Sequence, residues 1–470
     1  MGKRSSKRAE LAGSAEQPPA TDGPLPILPF TPSTNLLGYL GPLQKDPLGV
    51  VMMALGKNER LVRLRAGHLS IFILFDPEDI RRVLIDDAEI YGKATRGYDL
   101  IRQMLGDGLL SSEGDFWRRQ RRIAQPAFRK KCIEGFAQSM VTAAQAQCDA
   151  WRTVADGSTT TDVAEAMTLV TLQIAADTLM SADMQREGRE VGDAMATVLE
   201  RFNDQVNSAL PWPAYWPTRA NRIMWRAIRR LQSITDNLIQ ERRASGEQVP
   251  DLLGMFMAAE DPESGERMDD LQLRAEALTM LAAGHETTAN ALTWTLYLLT
   301  QNPDATAQLE EELDRVLAGR AVSLSDVEAL TFTRSVIDES LRLYPPGWMI
   351  TRRAMRDGAL GGSRIPKGSY IFLSPYAMHR HPDYWTDPDT FDPSRFGPEG
   401  GDIDRHVYFP FLRGQRQCIG DRFALLEMTL VLATFAQQFR FTLEPGHQPE
   451  LEPSLTLRPR NGMPMRLTAR

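Results

Sequence analysis

The chain has 470 residues, of which 42% are hydrophobic and 24% are charged, proportions that are typical of a globular protein. They argue against a disordered chain, a collagen-like repeat and a membrane protein with several spans. Lys and Arg number 54 against 61 Asp and Glu, and a net charge of −7 gives no support for a nucleic-acid partner. The three cysteines are too few and too scattered for a disulfide framework or a four-ligand zinc site, which predicts a reducing compartment, the cytoplasm.

The first 23 residues mix Lys, Arg, Ser and Ala and lack the apolar run that a signal peptide or a membrane anchor needs. We therefore expect residues 1–23 to be a flexible tail and the chain to have no transmembrane segment. From residue 24 onward there is no internal repeat and no interior linker of low complexity. The sequence therefore predicts that residues 24–470 form a single domain.

Strand and helix patterns follow one another along this predicted domain. Branched apolar residues on both sides of Gly67 predict a β-hairpin over residues 61–75. Helical periodicity then dominates in four long stretches, around residues 115–150, 160–207, 219–244 and 269–301. Strand patterns return at residues 348–353, 369–374 and 439–443. The predicted fold class is α+β, mainly α.

The stretch Ala283-Gly-His-Glu-Thr-Thr288 lies midway along the last long helix, which is predicted to begin at an Asp269–Asp270 cap and to stop before Pro303. Gly in a helix interior costs about 1 kcal/mol. A carboxylate beside threonines in an apolar span is also costly to bury. The alternative is that the Glu and Thr side chains lie on a hydrated face of the helix. An interior glycine and a carboxylate in an apolar span, both within one turn, favour a functional site instead.

A lone cysteine stands between glycines in Phe411-Leu-Arg-Gly-Gln-Arg-Gln-Cys-Ile-Gly420, just before a helical pattern over residues 423–439. At a helix N-terminus the free N–H groups and the dipole are expected to lower the pKa of the thiol and to stabilise an anionic sulfur. The residues alone leave a metal ligand, a nucleophile and a buried structural cysteine open.

This loop matches the heme-binding loop of the cytochrome P450 family, F-x-x-G-x-R-x-C-x-G, at every fixed position. Three further segments resemble family motifs in the same order along the chain, namely Ala283–Thr288, Glu339-Ser-Leu-Arg342, and Arg395 within Phe391-Asp-Pro-Ser-Arg-Phe396. From about Pro24 onward the sequence is identified as a member of this family, similar to its soluble bacterial-type heme-thiolate monooxygenases. The resemblance implies the cytochrome P450 fold, with a long central helix over the heme and small β-sheets.

The resemblance also implies a cofactor, heme b (iron protoporphyrin IX), and roles for named residues. Cys418 would be the axial thiolate ligand of the iron, and Glu286 and Thr287 would be the catalytic acid and alcohol that relay protons. The residues that would bind the heme are Trp117, Arg121, Ala283, Gly284, Arg352, Phe411, Gly414, Arg416, Cys418 and Gly420. Among them Trp117, Arg121, Arg352 and Arg416 would meet the heme propionates.

Glu339, Arg342 and Arg395 match a buried structural network of the family. By itself Glu339 with Arg342 is an i,i+3 pair, and such pairs are usually exposed and worth less than about 1 kcal/mol. Their helix is predicted to open with a capping box from Ser325 to Glu328. The resemblance implies instead that the three residues lock the segment leading into the cysteine loop.

The implied reaction inserts one oxygen atom of O2 into a C–H bond or a double bond of a hydrophobic small molecule, with a fatty acid or a terpenoid-like compound as the expected substrate. Only 52 residues follow Cys418, too few for a flavin or iron–sulfur domain, so a separate electron donor is expected. An acidic ferredoxin or flavodoxin with its reductase is predicted to bind a basic cluster of seven residues. The cluster comprises Arg118, Arg119, Arg121, Arg122, Arg129, Lys130 and Lys131.

Two other classes of heme protein stay open at this point. A peroxide-driven heme-thiolate enzyme would usually lack the Glu286–Thr287 pair, and a protein that only binds or senses a ligand would have no use for a proton relay. A requirement for an electron donor separates the first class from a monooxygenase, and the formation of an oxygenated product separates the second.

Overall fold

The computed structural model describes residues 38–181, 184–207 and 216–470. The predicted tail over residues 1–23 lies outside the described residues, so it stays a prediction. The helices are α1 (Leu40–Lys45), α2 (Pro47–Leu55), α3 (Pro77–Arg81), α4 (Arg96–Leu105), α5 (Gly114–Ala124), α6 (Lys130–Glu134), α7 (Ala137–Trp151), α8 (Val163–Met180), α9 (Met184–Asn207), α10 (Arg219–Ser245), α11 (Leu252–Ala258), α12 (Asp270–Gln301), α13 (Pro303–Leu317), α14 (Thr331–Leu343), α15 (Pro375–Met378) and α16 (Asp421–Gln438).

In the part of the chain that the structure describes, the strands are short and form four small sheets. They are β1 (Leu61–Ala66), β2 (Leu69–Leu74), β3 (Tyr91–Gly92), β4 (Asp156–Asp162), β5 (Ile350–Ala354), β6 (Gly358–Leu360), β7 (Ser363–Ile365), β8 (Tyr370–Leu373), β9 (Phe439–Leu443), β10 (Leu451–Pro453), β11 (Leu457–Pro459) and β12 (Pro464–Ala469). The largest sheet has the order β1-β2-β8-β5-β3, and a three-stranded sheet has the order β4-β12-β9. The predicted class, α+β and mainly α, is confirmed.

The predicted hairpin over residues 61–75 is the β1–β2 pair, in register from Leu61 opposite Leu74 to Ala66 opposite Leu69. Gly67 sits in the connecting turn at φ +60°, a conformation that glycine adopts without steric cost. On its other side β2 pairs in parallel with β8, so Ile71 to Leu74 are buried on both faces of the sheet. This sheet carries its own apolar core beside the larger core of the helices.

Helix α12 crosses the helical core and organises the site described below. It begins at the N-cap Asp269, whose carboxylate and the Gln272 side chain form a reciprocal capping box, and it ends before Pro303, as predicted. At 1.5 Å per residue its 32 residues extend for about 48 Å. The helix packs against α8, α10, α14 and α16.

Three details of the sequence prediction are wrong. The helical pattern around residues 115–150 is divided among α5, a 3-10 turn at Pro126, α6 and α7. The polar strand β4 precedes α8, although its sequence Asp-Gly-Ser-Thr-Thr-Thr-Asp has no apolar alternation. The capping box lies at Ser323 and Asp326 rather than at Ser325 and Glu328, and it caps a 3-10 turn before α14.

Among the described residues, one helix, α8, is long and apolar enough to cross a membrane by length and composition alone. Two-thirds of its most apolar window is buried inside the protein, and the Thr171 hydroxyl donates a hydrogen bond to the His285 carbonyl of α12 at 3.0 Å. These contacts are those of a core helix.

Candidate active site

A cavity lies between the middle of α12 and the loop that precedes α16. Most of its wall is apolar and comes from α8, α12, α16 and the 109–110 segment, with Leu109, Leu179, Met280 and Phe423 among the contributors. The Cys418 sulfur opens onto this cavity from one side, and Ala283, Gly284 and Thr287 face it from α12. The structure therefore brings the two most distinctive sequence motifs to a single site.

The cysteine loop is held by its own backbone. The Cys418 amide donates to the Phe411 carbonyl at 2.9 Å, and the Gln417 amide donates to the Gly414 carbonyl at 3.1 Å. Gly414 has φ +74°, and a Cβ on it would lie 2.4 Å from the Leu84 carbonyl oxygen. Only glycine fits there, which explains the residue at that position of the motif.

The helix N-terminus does not lower the pKa of the Cys418 thiol as the sequence argument expected. Burial raises this pKa to about 11, and the hydrogen bond from the Gly420 amide to the sulfur offsets only part of the shift. A free thiol here is therefore protonated at neutral pH and a poor nucleophile. Binding to a metal ion deprotonates a thiol outright, so the environment favours a metal ligand over a nucleophile.

On α12, Gly284 and Thr287 both line the cavity. A Cβ added to Gly284 would meet no atom within 4 Å, so the glycine leaves open space at the cavity wall. The Thr287 hydroxyl lines the cavity and donates to the Ala283 carbonyl one turn earlier at 2.7 Å. Ala283 and Thr287 therefore share the cavity face, as the spacing predicts.

Glu286 does not line the cavity. Its carboxylate accepts a hydrogen bond from the Thr456 hydroxyl at 2.9 Å, on the side of α12 next to the β10–β11 hairpin. Burial raises the pKa of Glu286, and the Thr456 hydrogen bond and the charge of Arg458 oppose that shift.

Four cationic side chains lie around the Trp117 and Cys418 end of the cavity. Arg416 stacks over the Trp117 ring at 3.6 Å from the ring centroid and donates to the Ser112 carbonyl at 3.0 Å. Burial lowers the pKa of Arg416 to about 10 and also lowers that of Arg121, which lines the same wall. Arg352 is buried and donates to the Tyr98 hydroxyl at 3.2 Å. The structure thus brings together the four residues predicted to meet the heme propionates, Trp117, Arg121, Arg352 and Arg416.

The fourth cation, Lys93, was missed by the sequence analysis. It is buried, donates to the Leu110 carbonyl at 2.8 Å, and has its pKa lowered by burial and by the nearby charges of Arg416 and Arg352. A lone lysine in a loop carries no local pattern, and only its position after the two-residue strand β3 hints at burial. Arg353, the neighbour of Arg352, is exposed and faces Tyr370 on the other side of the strand.

The one carboxylate whose charge acts on both Lys93 and Arg416 is that of Glu113, which cannot neutralise all four cations, and the Arg352 Nη2 atom is buried without any hydrogen-bond partner in the described chain. Burying unpaired cations is unfavourable unless an anion accompanies them. A heme fits this arrangement, because its two propionates would neutralise the cations while Cys418 meets its iron.

In the predicted network at Glu339, the Glu339–Arg342 pair is fully buried and Arg395 is partly exposed. Arg342 forms two hydrogen bonds of 2.7 Å to the Glu339 carboxylate, and both side chains are 0% exposed. The Arg395 guanidinium lies 3.5 Å from the same carboxylate, and the Asp392 amide donates to it at 2.8 Å. Arg342 also donates to backbone carbonyls between residues 379 and 390. The network therefore fixes α14 to the segment that leads into the cysteine loop.

Residues 28–464 match the sequence model of a family described as cytochrome P450. The chain belongs to the cytochrome P450 family. The fold agrees, since the crystal structure of a cytochrome P450DA heme domain aligns over 95% of this chain and 98% of its own, with a TM-score of 0.85 and 31% identity. The protein is a P450 monooxygenase, and its cofactor is heme b.

The curated relatives include three bacterial enzymes. Cyclooctatin synthase of Streptomyces melanosporofaciens is 36% identical and aligns over 90% of this P450 and 91% of its own length. Cyclooctat-9-en-7-ol 5-monooxygenase of the same organism is 34% identical and aligns over 91% of this P450 and 93% of its own length. Pentalenene oxygenase of Streptomyces avermitilis is 34% identical and aligns over 93% of this P450 and 96% of its own length.

Proposed function

We propose that this P450 oxidises a terpenoid-like molecule, with Cys418 as the residue that would bind the iron of its heme. The observation that carries the proposal is the apolar cavity that Cys418 and Thr287 share. Three relatives that match over at least 90% of the chain are named for terpenoid chemistry. The product is then the hydroxylated or epoxidised substrate.

The charges around the cavity favour a neutral substrate over a fatty acid. The cations that line the cavity, Lys93, Arg121 and Arg416, group with Trp117 and Cys418, where the heme propionates require them. The wall formed by α8, α11 and the first half of α12 contributes Ala175, Thr178, Leu179, Leu252, Thr279 and Met280, none of which is charged. A fatty-acid carboxylate would find no cation on that wall.

When bound, the heme supplies oxygen activation and oxygen transfer, and the chain supplies binding, orientation and protons. Cys418 holds the group through its sulfur, and the Trp117–Arg416 stack with Arg121, Arg352 and Lys93 holds its propionates. The apolar wall excludes water from the substrate. The Thr287 hydroxyl is the proton donor at the cavity surface, and Glu286 behind it is the acid that restores the proton.

As electron donor we propose an acidic ferredoxin or flavodoxin with its reductase. Helix α16 begins three residues after Cys418 and contacts α6, and Phe136, just after α6, packs against Phe423 in the first turn of α16, so the α6 cations lie on the cysteine side of the protein. Cys132, Cys148 and Cys418 are all unpaired, which supports a cytoplasmic location.

The test is a ligand screen followed by product analysis. Cyclic sesquiterpenes and diterpenes and saturated fatty acids of matched length are titrated into the heme-loaded protein, and binding is read as a low-spin to high-spin shift. We expect the cyclic terpenoids to bind more tightly and to yield oxygenated product only with an electron donor. Tighter binding of the fatty acids would contradict the proposed substrate class, and turnover supported by hydrogen peroxide without a donor would contradict the donor requirement.

A further inference from the structure

The first half of helix α10 presents a row of arginines to solvent. Residues 219–231 contain no Asp or Glu, although the whole chain has a net charge of −7. At 3.6 residues per turn the arginines of this stretch fall on one helix face about 100° wide. We call it the α10 basic face, and it comprises the exposed residues Arg219, Arg222, Arg226, Arg229 and Arg230. The opposite face is apolar and buried, with Met224, Ile228 and Leu231.

Four of the five arginines form no ion pair with any residue that the structure describes. The exception is Arg230, whose Nε atom donates to the Glu190 carboxylate of α9 at 2.8 Å. In the arginine-rich helix α5, by contrast, Arg118, Arg119 and Arg122 are all paired with acids. Arginines three or four residues apart on a helix repel one another, so the α10 basic face carries a cost in stability that a bound anion would remove.

Exposed apolar side chains lie beside these charges. Trp216, Ile223 and Val206 are 48%, 42% and 38% exposed. Ile223 borders the α10 basic face, and Val206 lies one residue before the end of α9. The Trp216 carbonyl accepts from the Asn221 side-chain amide at 2.9 Å, which holds Trp216 next to the start of α10. Unpaired cations with exposed apolar groups, an indole among them, match the boundary between lipid headgroups and acyl chains.

A short chain of hydrogen bonds links this region to the wall of the cavity. The Gln205 side-chain amide near the end of α9 donates to the Asn221 side-chain oxygen at 3.1 Å. The Arg96 guanidinium, at the first residue of α4, donates to the Gln205 carbonyl. Two residues further along α4, Tyr98 lines the cavity. The α10 basic face therefore adjoins elements that enclose the substrate.

We propose that the α10 basic face binds the surface of a bilayer that contains anionic phospholipids. Guanidinium groups match phosphate with paired hydrogen bonds, and clustered cations are drawn to the negative potential of such a surface. Trp216 and Ile223 then lie at the depth of the headgroups. The protein docks reversibly beside the phase in which a hydrophobic substrate concentrates, whether that substrate is a terpenoid or a fatty acid.

An acidic protein fits this face less well than a bilayer does. The proposed electron donor binds near α6 beside the cysteine loop, whereas α10 packs against α9 and α12. Trp216 and Ile223, exposed beside the arginines, favour a partner with an apolar interior that they can enter.

The test is flotation of the heme-loaded protein with vesicles of two compositions. One is pure phosphatidylcholine, which has no net charge, and the other contains equal parts of phosphatidylcholine and phosphatidylglycerol. At low ionic strength we expect wild type to bind the anionic vesicles about 10-fold or more tightly than the neutral ones. Because salt screens charges, about 0.5 M NaCl should weaken that binding strongly.

A triple variant locates the binding surface. Arg222→Gln, Arg226→Gln and Arg229→Gln together should weaken binding to anionic vesicles about 100-fold, because each cation near such a surface contributes a factor of about 5. Ile223→Ser should weaken the binding that remains at high salt. The reduced carbonyl spectrum of each variant checks that its heme site is intact.

A second triple variant controls for the loss of positive charge. It removes three exposed cations outside α10, as Lys57→Gln, Arg356→Gln and Arg422→Gln, and should bind anionic vesicles like wild type.

The outcomes decide between a bilayer and a protein partner. Equal binding to neutral and anionic vesicles, or an α10 triple variant that binds like wild type, would overturn the inference. If wild type bound neither vesicle and the α10 triple variant had a raised KM for ferredoxin, the face would belong to an acidic protein instead. The substrate screen of the proposed function uses no lipid, so its result stands or falls separately.

Discussion

Glu286 on α12 and Thr456 after β10 are joined by a hydrogen bond of 2.9 Å between the carboxylate and the hydroxyl, although 170 residues separate them in sequence. The Asn290 amide donates to the same hydroxyl at 3.0 Å. The acid that the family resemblance assigns to proton transfer is therefore held on the side of α12 away from the cavity. In the proposed mechanism it receives protons from the hairpin side and passes them around the helix to Thr287.

Removing the Thr456 hydroxyl tests this arrangement. In Thr456→Val the Glu286 carboxylate loses a hydrogen bond that stabilises its charged form, so its pKa rises further. We expect the pH profile of donor-dependent oxygen consumption to shift to higher pH in Thr456→Val. In Glu286→Gln we expect a slower rate and loss of that pH dependence. Thr293→Val serves as the control, and a Glu286→Gln profile identical to that of wild type would remove Glu286 from the mechanism.

Replacing Thr287 is expected to damage chemistry rather than folding. Thr287→Ala removes one hydroxyl and leaves a good helix former, so the free energy of unfolding should change by about 1 kcal/mol or less. Product formed per electron pair should fall, and hydrogen peroxide should accumulate while donor oxidation continues. Thr287→Ser should retain most of the coupling. Full coupling in Thr287→Ala would move the proton donor to Thr288 or to the substrate.

The assignment of Cys418 is tested by its absorption spectrum. The reduced carbonyl complex of a thiolate-bound heme has a red-shifted Soret band, and Cys418→His should abolish it. Cys132→Ser and Cys148→Ser should keep it, since neither cysteine lines the cavity and burial raises the pKa of the Cys148 thiol to about 12. A band that survives in Cys418→His would mean that another residue binds the iron.

Local motifs made much of this site predictable, because their chemistry depends on residues close together in sequence. Gly414 illustrates this, since its positive φ and its contact with the Leu84 carbonyl explain a fixed glycine in the loop. The α12 boundaries were equally predictable, since Asp269, Gln272 and Pro303 mark them locally.

Features that depend on distant residues were not predictable. Lys93 lies far from Cys418 in sequence, and no spacing rule connects the two. The hydrogen-bond partner of Glu286 comes from a hairpin near the C-terminus. The prediction of a capping box at Ser325 and Glu328 was wrong because Ser323 and Asp326 have a similar spacing and chemistry two residues earlier.

The basic cluster is a further case, and it changes the prediction for donor binding. Arg118 and Arg122 are already paired, the first with Asp115 at 2.6 Å and the second with Asp261 at 2.7 Å. Reversing the charge of Arg118 or Arg122 would break these ion pairs as well as any contact with the electron donor. Arg119 and Lys130 also have acidic partners, and Arg121 faces the cavity.

Arg129 and Lys131 are the exposed members of the cluster without an ion pair in the described chain, so we expect them to bind the donor. Reversing both, as Arg129→Glu with Lys131→Glu, should raise the KM for a ferredoxin several-fold and flatten its salt dependence, with kcat at saturation unchanged. Arg356→Glu is a control on an exposed arginine outside the cluster. A KM that is unchanged at low ionic strength would exclude this surface.

Glu276 predicts how stability depends on pH. Burial raises the pKa of Glu276 from 4.5 to about 8, so between these values the folded protein keeps a proton that the unfolded chain has released. Below pH 4.5 Glu276 is protonated in both states and costs no stability. As the pH rises from 4.5 towards 8, the free energy of unfolding therefore falls. The loss approaches about 1.4 kcal/mol per pH unit within that window.

Glu276→Gln removes this titration while keeping a side-chain oxygen that accepts from the Leu109 amide. The free energy of unfolding of the heme-loaded protein, measured with urea at several pH values from 5 to 8, should fall more steeply in wild type than in Glu276→Gln. The difference between the two isolates Glu276, because the other buried acids are common to both. Glu266→Gln controls for loss of an exposed acid. Parallel curves for wild type and Glu276→Gln would show that the carboxyl is already ionised in the folded protein.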